Sequence, residues 1–187
     1  MRTKVIETYG IEELEGRAKE RALDWLREGL DYEWWDSDFE DAKKCASILG
    51  IEIDKIYFSG FYSQGDGACF NGSFSYAKGW KKTLLDYAPI DAELLRIGRE
   101  LQTIQKPFFY SLSGAIECND RYKTTKAVCH WSDYNMPEED LSQVFSDFSS
   151  WIYKQLQTVY EWLMSEEQLI ETAKSNGYMF DSEGRII

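Results

Sequence analysis

Any nucleophilic or acid–base chemistry built on an imidazole would have to use His130, the only histidine in the chain. A Ser-His-Asp or Cys-His arrangement needs a nucleophile beside that ring and a carboxylate to orient it. No G-x-S-x-G elbow is present, and His130 stands beside Cys129 in a strand-like run, where half-buried packing is the common role. Structural zinc wants four Cys or His ligands, usually in two close pairs. Cys45, Cys69, Cys118 and Cys129 form no C-x-x-C pair. On a strand, Cys129 and His130 point to opposite faces. No catalytic residue, metal or other cofactor is therefore expected.

Two further segments carry polar chemistry. Gly60-Phe61-Tyr62-Ser63-Gln64-Gly65-Asp66-Gly67-Ala68 has three glycines and small polar groups, so Ser63, Gln64 and Asp66 form a possible ligand loop. It lacks the G-x-x-x-x-G-K-[ST] and G-x-G-x-x-G phosphate patterns and the calcium-loop pattern. It lies between two strand-like runs, where a turn accounts for its glycines. The more distinctive segment is acidic. From Asp31 to Asp41 the chain reads D-Y-E-W-W-D-S-D-F-E-D, six carboxylates and four aromatics without a cation. Negative charge is favoured at a helix start, but like charges this dense repel. A docking surface is the sharper reading. Asp31, Glu33, Asp36, Asp38 and Asp41 would face a basic protein, with Trp34 or Trp35 as anchor. Glu40 is set aside for a capping box with Ser37. Paired carboxylates or His130 in a pocket near the 60–70 turn would instead suit a small enzyme or ligand-binding protein.

Composition narrows these classes. With 43% hydrophobic and 16% aromatic residues, the 187-residue chain can bury a full core and reads as one α+β domain over 1–187. Its 33 Asp and Glu against 21 Lys and Arg give a net charge of −12. Such a charge repels phosphates and anionic lipid at a distance, so neither direct nucleic-acid binding nor a membrane surface is expected. No signal peptide or apolar run of about 18 residues occurs. A cytoplasmic, reduced protein with four free thiols is the default.

The elements that would position these residues follow from periodicity. Strand-like runs cover 4–9, 51–62, 68–78, 107–118 and 123–133. Helical spacing covers 11–30, Ser37 to Gly50, and about Asp91 to Gln105. A long helix starts near Pro137, and a last one starts at Ser165 and ends at Asn176-Gly177. A tail hairpin surrounds Asp181-Ser182-Glu183-Gly184. Strands joined by short turns pair antiparallel. The expectation is an antiparallel sheet of about four to five strands with helices packed on it.

The combination Tyr32-Glu33-Trp34-Trp35, Phe39-Glu40-Asp41-Ala42, Gly50-Ile51-Glu52-Ile53 and Ile56 through Phe70 resembles a family of small bacterial and phage proteins. Trp151-Ile152-Tyr153 and the C-terminal hairpin extend the likeness. Members are often labelled antitoxins of toxin–antitoxin stability systems. The resemblance implies a phage or mobile-element setting and a protein that neutralises something. An antitoxin covering a basic toxin shares the physics of an anti-CRISPR or anti-restriction protein that mimics nucleic-acid charge. The expected partner is thus a basic protein, a toxin or a nucleic-acid-binding defence effector, in the cytoplasm of a bacterial host.

Overall fold

The computed structural model describes residues 7–30, 33–130 and 136–187. The helices are α1 (Gly16–Glu28), α2 (Asp36–Leu49), α3 (Trp80–Tyr87), α4 (Ala92–Gln105), α5 (Glu138–Leu163) and α6 (Glu166–Ser175). The strands are β1 (Ile51–Phe58), β2 (Ala68–Phe74), β3 (Gly114–Asn119) and β4 (Thr124–Cys129). The contacts group into two compact units, Met1–Trp34 with Thr158–Ile187, and Trp35–Gln157.

The Trp35–Gln157 unit holds a four-stranded antiparallel sheet in the order β1-β2-β3-β4. Its register runs Ile51 opposite Phe74 and Phe58 opposite Ala68, then Gly72 opposite Ile116, then Gly114 opposite Cys129. A bulge between Ile53 and Lys55 leaves Asp54 unpaired in the ladder. The expected architecture, helices packed on an antiparallel sheet, is the one observed. Phe70 and Phe74, four residues apart on the same face of β2, meet Phe148 and Phe145 of α5 at 5.7 and 5.2 Å between ring centroids. All four are buried.

Helix ends mark where local chemistry acts. Asp91 caps α4, its carboxylate accepting from the Leu94 N–H at 2.9 Å. Gly50 ends α2 at φ 85°, a left-handed cap, and a Cβ there would lie 2.1 Å from the Ser75 carbonyl. The capping box of Ser37 with Glu40 does not form. The helix begins at Asp36 after Trp35, with no side-chain cap, and Glu40 turns outward to Lys43.

Other expectations change as well. Residues 107–113 are not strand. Lys106–Phe108 is a short 3-10 turn containing Pro107, and Phe109 and Tyr110 follow with positive φ. The buried Gln105 side chain holds this turn, donating to the Leu112 carbonyl at 2.8 Å and accepting from the Leu112 N–H at 3.0 Å. α3 is a helix that periodicity over 79–90 did not reveal, because only Trp80 and Leu84 are buried on it. Cys69 and Cys118 are joined as a disulfide, so the expectation of four free thiols is corrected; Cys45 and Cys129 are free and buried. The cross-strand neighbourhood of β2 and β3 brings together cysteines that lie 49 residues apart in sequence.

The other unit has its own core of Ile11, Leu14, Leu23, Leu26, Leu169 and Phe180. The expected 11–30 helix divides into a 3-10 turn at Ile11–Glu13 and α1, separated by Leu14 and Glu15 in extended conformation. Ser165 caps α6 as its sequence suggests, accepting from the Gln168 N–H. The tail bridges Phe180 to both Tyr9 and Ile186. Most of the expected 4–9 strand lies outside the described residues.

Gly98 of α4 faces Trp80, and a Cβ there would sit 2.3 Å from the buried indole. Gly98→Ala is expected to lower stability by about 1–3 kcal/mol, the usual cost of overpacking. Chemical denaturation should show an earlier midpoint; an unchanged midpoint would mean that Trp80 is free to move aside.

Candidate functional site

The acidic run becomes a surface only where α2 exposes it. Successive helical residues turn by about 100°, so Asp36 and Glu40 share one side of the helix while Asp38 points about half a turn away. Asp36, Glu40 and Asp41 are exposed, and Asp38 is half-buried. Burial, assisted by the charge of Asp41, holds the Asp38 carboxyl above the usual carboxylate range, outweighing hydrogen bonds from its own backbone and from Ser37. Asp41 accepts a hydrogen bond from the Tyr87 hydroxyl of α3. That bond, more than burial, pushes the Tyr87 phenol up to about 12. The expected single face is thereby corrected. Asp36 and Glu40 form its centre, Asp41 an edge, and Asp38 turns inward. Asp31 lies outside the described residues. Glu33 is exposed, and both it and Trp34 belong to the other unit, where Trp34 lies 5.9 Å from the ring of Tyr160.

Trp35 does not stand free as an anchor. Its ring meets Phe58 edge-on at 5.2 Å, and Phe39 meets Phe58 at 5.9 Å. Phe58 leads to Phe61 at 6.1 Å, and Phe61 lies 5.3 Å from Tyr153. The Tyr153 hydroxyl donates to the Gly60 carbonyl at 3.2 Å. These rings tie the start of α2, the end of β1 and α5 into one aromatic cluster. Tyr62 sits at its edge, 72% exposed with φ 77°. Sequence reasoning missed Tyr62 as the outward ring. The available signal was an aromatic residue next to the polar tip of a glycine-rich turn.

The 59–67 loop is bonded within itself at Ser59, Ser63 and Asp66. Asp66 accepts from the Ser63 N–H at 2.7 Å, and its N–H donates to the Ser63 carbonyl at 3.1 Å. The Ser59 N–H donates to the Gly67 carbonyl at 3.1 Å. Ser63 and Gln64 are exposed, Asp66 half-buried. Turn chemistry accounts for the Asp66 side chain, while no bond of the loop among the described residues involves the Gln64 side chain. The Ser59 hydroxyl is buried without a hydrogen-bond partner among the described residues.

His130 is exposed at the end of β4, with Cys129 buried on the opposite side. Its Nδ1 lies 3.4 Å from the Ser113 hydroxyl. No metal-holding group of His, Cys, Asp and Glu occurs among the described residues. Burial raises both free thiols, Cys45 to about 12, so neither is poised as a thiolate nucleophile near neutral pH. An open groove of about 670 Å³ lies between α4 and α5, lined by Ile90, Asp91, Glu93, Arg96, Asp147 and Trp151 among others. Its carboxylates are already engaged. Asp91 accepts from the Trp151 indole at 2.8 Å, and Glu93, Glu100 and Asp147 surround the Arg96 guanidinium. Arg96 in turn holds the Glu93 carboxyl below its usual range. Three carboxylates thus share the single charge of Arg96, and none of the groove acids named here is without a partner. No helix among the described residues is long and apolar enough to cross a membrane.

Fold and site together define an α+β protein with an acidic helix start set against an aromatic cluster. The chain belongs to the family described as a domain of unknown function, DUF8835, whose profile matches residues 34–166. No curated protein matches the chain, and no solved structure matches it.

A carboxyl whose folded pKa is raised binds its proton more tightly than in the unfolded chain. Its contribution therefore lowers stability as pH rises from the ordinary carboxylate range through the raised value. Asp38→Asn is expected to raise the melting temperature at pH 7 and to leave it unchanged near pH 3, where the carboxyl is protonated in both states. A loss of stability at pH 7 would show that its helix-start charge outweighs its burial.

Proposed function

We propose that this is an acidic protein-binding module that neutralises a basic, nucleic-acid-handling protein, as an antitoxin or as an anti-CRISPR or anti-restriction inhibitor of phage or mobile-element origin. The observation that carries the reading is the exposed side of α2. Asp36 and Asp41 make no ion pair among the described residues, and Glu40 is balanced by Lys43 alone. Carboxylates this close repel one another in the free protein. A cationic partner surface relieves that repulsion, and a toxin or defence effector that grips nucleic acid presents one. Exposed Tyr62, linked through Phe61 and Phe58 to Trp35 at the helix start, supplies an aromatic contact of the kind that dominates interface energies. The resemblance to proteins labelled antitoxins agrees with this role, and the proposal includes action in the cytoplasm of a bacterial host. The alternative, a small enzyme using carboxylates or His130 near the 60–70 turn, has less support, because Asp66 serves the turn itself and His130 faces Ser113.

Charge complementarity acts mainly on association rate and fades over a Debye length of about 8 Å at physiological salt. Surface plasmon resonance against the partner captured from host lysate should show binding that weakens steeply as salt rises. Asp36→Lys with Glu40→Lys should slow association more than it speeds dissociation. His130→Gln should leave binding and biological activity intact. Salt-independent binding, or unchanged kinetics in the double variant, rules out α2 as the docking face. Loss of activity in a well-folded His130→Gln variant would favour the enzyme.

A further inference from the structure

The net charge of −12 conceals a segregation. None of the 33 carboxylates falls in residues 67–85 or 101–116, and these two stretches carry Lys78, Lys81, Lys82 and Lys106. The fold brings the stretches together. The Tyr76 and Tyr110 rings lie 4.5 Å apart, and the Trp80 indole donates to Gln102 at 3.2 Å. Tyr76, Trp80, Gln102 and Gln105 line one narrow cleft. Arg99, one turn before Gln102 and Thr103 on α4 and two turns before Lys106, adds a fifth exposed cation to the same end of the helix. Arg96, Lys19, Lys123 and others elsewhere are tied to carboxylates. The five cations of this patch are in no ion pair among the described residues.

The patch also presents rings in a held geometry. Phe109 is 91% exposed and Tyr110 38%. Both adopt positive φ, at 54° and 59°, a region sparsely populated by residues with a Cβ. The turn that carries them is bonded throughout. The Phe109 N–H donates to Lys106, the Tyr110 N–H to Gln105 and the Ser111 N–H to Phe108, and the buried Gln105 side chain clasps Leu112. A fixed, outward phenylalanine beside a pair of packed tyrosines and five uncommitted cations combines the two parts of a single-strand nucleic-acid site, ring faces for bases and point charges for phosphates.

We propose that the Tyr76–Phe109–Tyr110 surface, ringed by Lys78, Lys81, Lys82, Arg99 and Lys106, binds single-stranded nucleic acid. The repulsion inferred from net charge is a long-range average. At contact distance the nearest charges govern, and salt screens the more distant carboxylates. An acidic protein segment would also satisfy the cations. An aromatic ring open on both faces favours bases, because every base offers a stacking face. The site uses none of the α2 carboxylates, so it stands or falls apart from the function proposed above.

The test is fluorescence anisotropy of the full chain with a labelled oligothymidylate of about 20 nucleotides, longer than a typical single-strand site, and with the matching oligouridylate. Saturable binding of either supports the proposal, and their ratio identifies the preferred sugar. For four to five neutralised phosphates, affinity should fall roughly 50- to 130-fold between about 50 and 200 mM salt. Phe109→Ala should weaken binding about fivefold or more at unchanged melting temperature, while Phe109→Trp retains it. Lys81→Glu with Lys82→Glu should weaken binding at least about tenfold and flatten the salt dependence. Absence of binding at low salt overturns the proposal. Indifference to Phe109→Ala overturns it too, since the rings would then play no part. Equal competition by a glutamate-rich peptide containing one leucine would make the patch a dock for acidic protein instead.

Discussion

The packing of α5 on the sheet is the contact on which the Trp35–Gln157 unit depends. Phe145 and Phe148 close over Phe74 and Phe70, and each fully buried phenylalanine contributes roughly 1.5–3 kcal/mol over an exposed one. Phe148 also stacks on Trp151 at 5.4 Å. The Trp151 indole then donates to Asp91, the same carboxylate that caps α4. One helix thereby sets the position of the sheet below it and of the helix beside it. Tyr153, two residues further on, reaches the Gly60 carbonyl and steadies the β1–β2 loop.

Charge is distributed around this core, not spread evenly over it. Asp36, Glu40 and Asp41 are exposed on α2, while Glu93, Glu100 and Asp147 converge on Arg96 beside the α4–α5 groove. A net charge is a sum over the chain, and its long-range field is what an approaching partner meets first. At contact distance the local arrangement governs instead, because salt screens the remainder. Carboxylates and cations on different elements can thus act locally in ways that the net charge does not reveal.

The rings follow the same division between packing and display. Trp35, Phe39, Phe58 and Phe61 are spent on holding α2 to the end of β1. Tyr62 and Phe109 are turned outward by backbone with positive φ. Such conformations cost of order 1–3 kcal/mol each and persist only where surrounding bonds impose them. Around Phe109 the imposing group is Gln105, whose buried amide satisfies both backbone groups of Leu112.

The sequence by itself determined the antiparallel sheet, the β1–β2 and β3–β4 hairpins, α2, α4, α5 and α6, and the acidic start of α2. These are local matters of periodicity, turn residues and caps, which a single stretch of chain records. Tertiary structure decided which carboxylates face water. The cap of α2 falls at Trp35, two residues before Ser37, so Ser37 lies inside the helix, Glu40 pairs with Lys43, and packing leaves Asp38 half-buried. Tertiary structure also decided that the strand-like run 107–113 would become a turn, because Pro107 lacks an N–H to give a ladder and Gln105 binds Leu112 instead. It brought Cys69 to Cys118 and Tyr76 to Tyr110. Such pairings depend on residues tens of positions apart whose approach is set by sheet register and helix packing, and no local pattern encodes that approach.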